Sequence, residues 1–431
     1  MLDRQREERR PELVFGLIGA LGADIGPVID SLEERLQIVG YRSVRIKLSA
    51  LMESQIPGHP FVDLCKDGKK ADVEAYMDAG TQLRTSLRRG DALAMYGVLA
   101  LREERRRSSA SYDEVAQGLA YIFDSLKHDD EVETLRRIYG QAFVGVGVYT
   151  PYRERLRNVS ARICESKGIG QPDDYRKRAE ALIEKDFDEQ GVPFGQHVSD
   201  AFALSDVFIS SSGDRAGHVA RFVQLLFGDW TKTPTRDEIA MFHAYAAALE
   251  SSSMARQVGA AIALTDGTLL ATGTNELPRF GGGPFDADEA RSAANRGDSD
   301  IRDFALKIDA SDTHRRELLT DILGRLASSG RMGRLDDSEL PNVADDMLFG
   351  ADAVLRKAKF MSTIDYVRTM HAETMALSNC ARRGIAVEGG TLYVTTFPCH
   401  DCAKQLSRTV SGASSISSRT RRALRSGFTM G

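Results

Sequence analysis

The stretch TMHAETMALSNCARRGIAVEGGTLYVTTFPCHDC, residues 369–402, decides how the second half of the chain is read. Its period predicts a helix opening at the histidine, then a strand TLYV, then a second helix opening at the cysteine pair. His371 and Glu373 stand at the start of the first helix, and Cys399 and Cys402 at the start of the next. A Cys-x-x-Cys at a helix N-terminus aims two sulfurs at one point, and the helix dipole favours their ionised form. With the imidazole of His371 they make three ligands for Zn2+. A fourth position is left for water, which is how a catalytic zinc site differs from a closed structural one. Zinc brings the pKa of such a water down towards ~7. Glu373 is not needed as a ligand and is free to carry protons. A structural zinc or a redox pair would need a second ligand pair or a different setting, and no such pair is visible. His400 reads as helix surface and Cys380 as a buried thiol. Cys65 and Cys164 read as ordinary thiols, and His314 stands alone.

The bulk composition allows this chemistry and excludes others. The chain has 431 residues, 42% hydrophobic and 28% charged, with a formal net charge of −5. That is enough for two or three domains with their own cores, and it is not the charge of a general polyanion binder. No apolar run is long enough to span a membrane. The start, MLDRQREERRPE, is charged and does not read as a secretory signal. Of five cysteines, two stand three apart and three are scattered, which points to a reducing cytoplasm and a metal pair rather than a disulfide framework.

Ahead of the zinc motif, the first ~230 residues read as one α/β domain with a parallel sheet. LVFGLIGAL is a buried strand, followed by a glycine turn, a helix from about Pro27 and a strand in VGYRSVRIKLS. LAYIFD, ending at Asp124, QAFVGVGVYT and HVSDAFALSDVFISSS supply further strands. The turn GLIGALGADIGPV carries Gly19, Gly22 and Gly26 but lacks the Lys-Ser/Thr of a working phosphate loop. Its N–H groups could still receive a nucleotide phosphate, against repulsion from Asp24. Pro234, between two threonines, marks the boundary. We therefore divide the chain into 1–235, 236–406 with an insertion at about 281–365, and a tail 407–431. In the middle part, the turn Thr265-Asp266-Gly267 joins two strands.

The motif His371-Ala372-Glu373 with Pro398-Cys399-His400-Asp401-Cys402 has the signature of zinc deaminases of bases. At these residues, and over roughly 236–406, the chain resembles the cytidine and deoxycytidylate deaminase superfamily. The resemblance implies a three-layer α/β/α domain. It also implies that Asn275 contacts the sugar of the nucleotide and that Arg256 and Gln257 lie near the pocket entrance. A helix-to-strand capping role is the alternative for these residues. With the N-terminal half, a P-loop NTPase/kinase-like α/β domain with a degenerate phosphate loop, and the insertion included, the chain resembles the bacterial anti-phage dCTP/dCMP deaminases. That narrower likeness implies hydrolysis of free dCMP or dCTP to the uracil form, to deplete deoxycytidine nucleotides. It also implies a homo-oligomer and a regulatory RNA or protein partner. The alternatives are a tRNA-type base deaminase and an inactive zinc-binding remnant.

The tail is the discordant part. Residues 405–431 hold seven Ser and five Arg and no Asp, Glu or Lys. The resemblance implies a five-stranded sheet, so a further strand and helices belong after the Cys-x-x-Cys helix, and this composition does not promise them. We read the tail as out of frame: with suitable codons, GASSISSRTRRALRSGFTM is compatible with a shifted reading that looks like the family's next strand. The expectation is a domain incomplete at its C-terminus, low order after about Leu406, and poor stability or no activity.

Overall fold

The computed structural model describes residues 10–54, 73–109, 117–187, 189, 192, 194–254, 256–307, 309–331, 336, 338–350, 353–355, 358–362, 367–410 and 412–415. The chain divides into two compact units, which meet between Thr233 and Pro234.

The first unit is built on a parallel sheet. Its strands are β1 (Leu13–Ile18), β2 (Arg42–Lys47), β3 (Leu119–Leu126), β4 (Phe143–Tyr149) and β5 (Val207–Ser210), in the order β2-β3-β1-β4-β5. Strands buried on both faces need apolar residues on both, and β1 and β3 have them: Val14, Phe15, Leu17 and Ile18, and Tyr121, Ile122 and Phe123, are all fully buried. Helices cover each face. On one, α1 (Gly26–Ile38) presents Val28, Ile29, Leu32 and Leu36, spaced at the helical period, to Phe15, Ile122 and Val146. On the other, Val132 and Leu135 of α2 (Asp129–Tyr139) pack with Tyr121 and Phe123. Helices α3 (Tyr152–Lys167), α4 (Arg176–Phe187) and α5 (Arg215–Leu226) complete the parts used below. The segment expected as one strand over HVSDAFALSDVFISSS divides. Val198–Ala203 is a short helix, and only Val207–Ser210 enters the sheet. Asp124 does not end its strand; it lies inside β3, opposite Lys47 and bonded to Arg45.

The second unit opens with α6 (Arg236–Ala248), whose N-terminus is closed by a capping box of Thr235 and Glu238. Its sheet contains β6 (Gly259–Ala263), β7 (Leu269–Thr274), β8 (Thr391–Val394) and β9 (Gly412–Ser415), in the order β7-β6-β8-β9. Strands β6 and β7 are antiparallel, as are β6 and β8, while β8 and β9 run parallel. On one face α6 packs Ala240 and Ala244 against Ala261, Ala263 and Tyr393. On the other, α7 (Ala372–Arg382) and α8 (His400–Thr409) bring Ala372, Ala376 and Leu406 onto Ala260, Ile262, Leu392 and Val394. This is the three-layer arrangement expected. The layers close tightly because two strand positions are glycine. A Cβ on Gly273 would lie 2.3 Å from the Ala372 carbonyl oxygen, and one on Gly259 would lie 1.9 Å from that of Ala244. The insertion has its own small core, where Leu319 and Leu323 of helix Ala310–Ser328 meet Leu340, Ala344 and Leu348 of helix Leu340–Phe349.

The start of the tail holds a strand that its composition does not promise. Helix α8 continues to Thr409, and Gly412–Ser415 forms β9, paired with Thr391–Val394. A strand can be added through main-chain hydrogen bonds alone, so a small polar sequence such as GASS suffices. The expectation for 416–431 lies outside the described residues, as does Cys65.

Candidate active site

Two helix N-termini build the site. His371 is the N-cap of α7 and has extended backbone angles; its carbonyl accepts the Met375 N–H at 2.8 Å. Cys399 is the N-cap of α8, and its sulfur accepts the Cys402 N–H at 3.5 Å. His371 Nδ1 lies 3.3 Å from Cys399 Sγ and 3.4 Å from Cys402 Sγ. The three donor atoms fall within 4.8 Å of one another. Tetrahedral zinc, with nitrogen at ~2.0 Å and sulfur at ~2.3 Å, sets the two about 3.5 Å apart. The spacing of the side chains therefore already fits the ion.

Electrostatics favour one thiolate in the cysteine pair. The hydrogen bond from Cys402, with the His371 imidazole alongside, brings the Cys399 thiol down to about 4, while Cys402 keeps its proton and is pushed up. His371 is raised, first by its contact with Cys399. Glu373 sits in the first turn of α7 and is 3% exposed. Burial raises its carboxyl above the usual range. Such a group exchanges a proton nearer neutral pH than a solvated carboxylate does.

The residues expected around the pocket form a brace. Asn275 Oδ1 accepts the Val258 N–H at 2.6 Å, and its Nδ2 donates to the Arg256 carbonyl at 2.7 Å. Arg256 Nη1 donates to Thr396 Oγ1 at 3.0 Å, on the loop that leads to Cys399. Gln257 Nε2 donates to the Ser253 carbonyl at 2.8 Å. Two further groups escaped the sequence reading. Glu276 is 1% exposed and caps Ser252 and Leu277. Thr374 faces Cys402 Sγ at 3.7 Å and Gln405 Oε1 at 3.3 Å. The spacing i, i+3 from His371 to Thr374 and from Cys402 to Gln405 is the signal that could have found the latter pair. His400 is exposed, and Cys380 is buried in the core.

In the first unit the glycine turn is held from inside. The Asp186 carboxylate, fully buried, accepts the Leu21 N–H at 2.6 Å and pairs with Lys127 Nζ at 2.9 Å. Lys127 also donates to the Gly19 carbonyl, and the Asp24 N–H goes to Thr150 Oγ1. Gly22, at φ +82°, lies under the Arg155 carbonyl, while Gly26 begins α1 with open space around its Cα. A carboxylate of the chain itself thus sits on the turn. His128, Asp129 and His197 form a second cluster of ligand-type groups. There the two imidazoles stack, with centroids 4.8 Å apart and planes 18° from parallel. His128 Nδ1 accepts the Asp130 N–H as the cap of α2.

No helix among the described residues is long and apolar enough to cross a membrane. Deoxycytidylate deaminase of Enterobacteria phage T2 is 49% identical over 39 residues, 9% of this chain and 21% of that protein. The chain thus matches about a fifth of the length of that relative. Among solved structures, dCMP deaminase from the cyanophage S-TIM5 aligns over 43% of this chain and 84% of its own, at 15% identity and a TM-score of 0.21. A gluconokinase from Sinorhizobium meliloti 1021 aligns over 51% of this chain and 99% of its own, at 14% identity and a TM-score of 0.25. Residues 234–415, which carry the whole His371, Cys399 and Cys402 cluster, match the family model of the cytidine and deoxycytidylate deaminase zinc-binding region.

Proposed function

We propose that the chain hydrolyses the exocyclic amine of deoxycytidine nucleotides, dCMP or dCTP, giving the uracil form and ammonia. The observation that carries this is the buried Glu373, in the first turn of the helix whose N-terminus presents His371 to the two cysteines. His371, Cys399 and Cys402 would hold zinc, which supplies a Lewis acid and lowers the pKa of a water. Glu373 takes one proton from the attacking water and gives it to the pyrimidine ring nitrogen, then takes the second from the hydroxyl added at the amine-bearing carbon and gives it to the amine, which leaves as ammonia. Its raised affinity for protons suits both directions of transfer. The resemblance assigns Asn275 to the sugar and Arg256 and Gln257 to the entrance, and Asn275 is held in this brace by Val258 and Arg256. Depletion of deoxycytidine nucleotides during phage infection, by a homo-oligomer under an RNA or protein regulator, is the setting that the resemblance supports.

The test is ammonia release from dCMP, dCTP, cytidine and tRNA, with Glu373→Ala as the control. Release from dCMP or dCTP that the substitution abolishes is the expected result. Release from tRNA alone would replace this reading by a nucleic-acid base deaminase.

A further inference from the structure

Thr374 stands one residue beyond Glu373 and three beyond His371, so it shares the face of α7 that looks at α8. Its hydroxyl reaches Cys402 Sγ at 3.7 Å and Gln405 Oε1 at 3.3 Å. Cys402 and Gln405 are also three apart on α8, so the contact is a short chain of polar groups, Gln405 to Thr374 to Cys402, between two helices. We propose that Thr374 is a positioning residue for the metal centre, its hydroxyl hydrogen-bonding the Cys402 sulfur while Gln405 holds that hydroxyl in place. This rests on the reading of His371, Cys399 and Cys402 as a zinc site.

The proton count gives the proposal its content. A hydroxyl has one proton to donate and lone pairs to accept with. A ligating cysteine is a thiolate and can only accept, so the Thr374 proton must turn to Cys402 Sγ. The Gln405 amide then has to present its NH2 group, rather than the carbonyl it shows here, to Thr374 Oγ1. A side-chain amide can do either by rotating, which a carboxylate could not. Groups in this position orient a ligand and tune its basicity, and losing one typically lowers metal affinity by about 10-fold or more. Valine has the shape of threonine without the donor, and serine keeps the donor.

The experiment uses the full chain. Zinc affinity is read by competition with a chromophoric chelator, and the sulfur environment by the thiolate-to-metal charge-transfer band of the Co2+-substituted protein. Thr374→Val is expected to weaken zinc by about 10-fold and to move the band to lower energy, because an unbonded thiolate holds its electrons less tightly. Thr374→Ser should restore both. Gln405 is exposed, so Gln405→Met leaves packing intact and should shift the band the same way by a smaller amount. Unchanged affinity and an unchanged band in Thr374→Val, or in Gln405→Met if the valine variant does not fold, overturn the proposal. A wild-type chain that takes no zinc overturns it together with the proposed function. A chain that shows these shifts but releases no ammonia leaves it standing and removes the deamination.

Discussion

The main-chain carbonyl of Glu276 accepts the N–H of Met370 at 2.9 Å, in an antiparallel bridge immediately before His371. The segment just after β7 thereby fixes where the histidine of the metal cluster begins its helix. The Glu276 carboxylate in turn accepts the N–H groups of Ser252 and Leu277, and the Ser252 hydroxyl.

Glu276→Ala should therefore do two things. It strands buried donors, which costs about 1–3 kcal/mol. It also loosens the bridge to Met370, and so should weaken zinc binding. Chemical denaturation and chelator competition, run on the same preparation, check both. Glu276→Gln, which keeps the carbonyl acceptor, should fall between wild type and Ala.

Gly273 sets the distance between β7 and α7. A Cβ there meets main-chain atoms, the Ala372 oxygen at 2.3 Å and the Ala376 nitrogen at 2.4 Å, and main chain cannot swing aside as a side-chain tip can. Gly273→Ala should destabilise the second unit by at least the 1–3 kcal/mol typical of overpacking, and should displace Ala372 beside the metal ligand. Gly26→Ala is the comparison, since nothing lies within 4 Å of a Cβ built there. It should leave stability within about 0.5 kcal/mol of wild type.

How far the sequence reveals all this depends on how local each interaction is. His371, Glu373, Cys399 and Cys402 are legible because two short spacings tie them to two helix starts. The strands β1, β3, β4, β6 and β7 are legible because their apolar runs are bounded by glycine and polar turns. Asp186 is not, because it lies 165 residues from the Leu21 amide that it receives. Nothing in RKRAEALIEKDF distinguishes that aspartate from a solvated one. Strand β9 escapes for a different reason: main-chain pairing with β8 leaves no mark in side-chain pattern. The capping role weighed for Asn275 has a local signal, yet its partners, Val258 and Arg256, become certain only once β6 and β7 pair.

The buried position of Asp186 makes a prediction about the first unit. Removing one partner of a buried pair leaves the other uncompensated, here the Lys127 ammonium and the Leu21 N–H. Asp186→Ala should destabilise the first unit by about 3–5 kcal/mol. The double change of Asp186→Ala with Lys127→Met should recover part of that loss. A denaturation cycle over the four proteins measures the coupling, and simple additivity would show that the pair contributes nothing.

Asp91 gives the first unit a definite acid dependence. Its carboxylate receives Arg89 through two contacts at 2.8 Å and the Thr134 hydroxyl at 2.7 Å. The Arg89 hydrogen bond, helped by Thr134, holds its pKa below the ordinary value of 3.8. A carboxyl whose folded pKa is depressed stabilises the fold above its unfolded pKa. That contribution disappears as pH falls through the folded value, where both states bind the proton. Arg89 is 52% exposed, so the charge part of its pairing with Asp91 is screened. Asp91→Asn should thus lower the melting temperature of the first unit at pH 7. The gap from wild type should stay constant down to about pH 4 and narrow below 3.8. Melting curves from pH 7 to pH 3 at fixed ionic strength test this. A gap that is constant over the whole range would place the effect of the substitution in packing rather than in the carboxylate's charge.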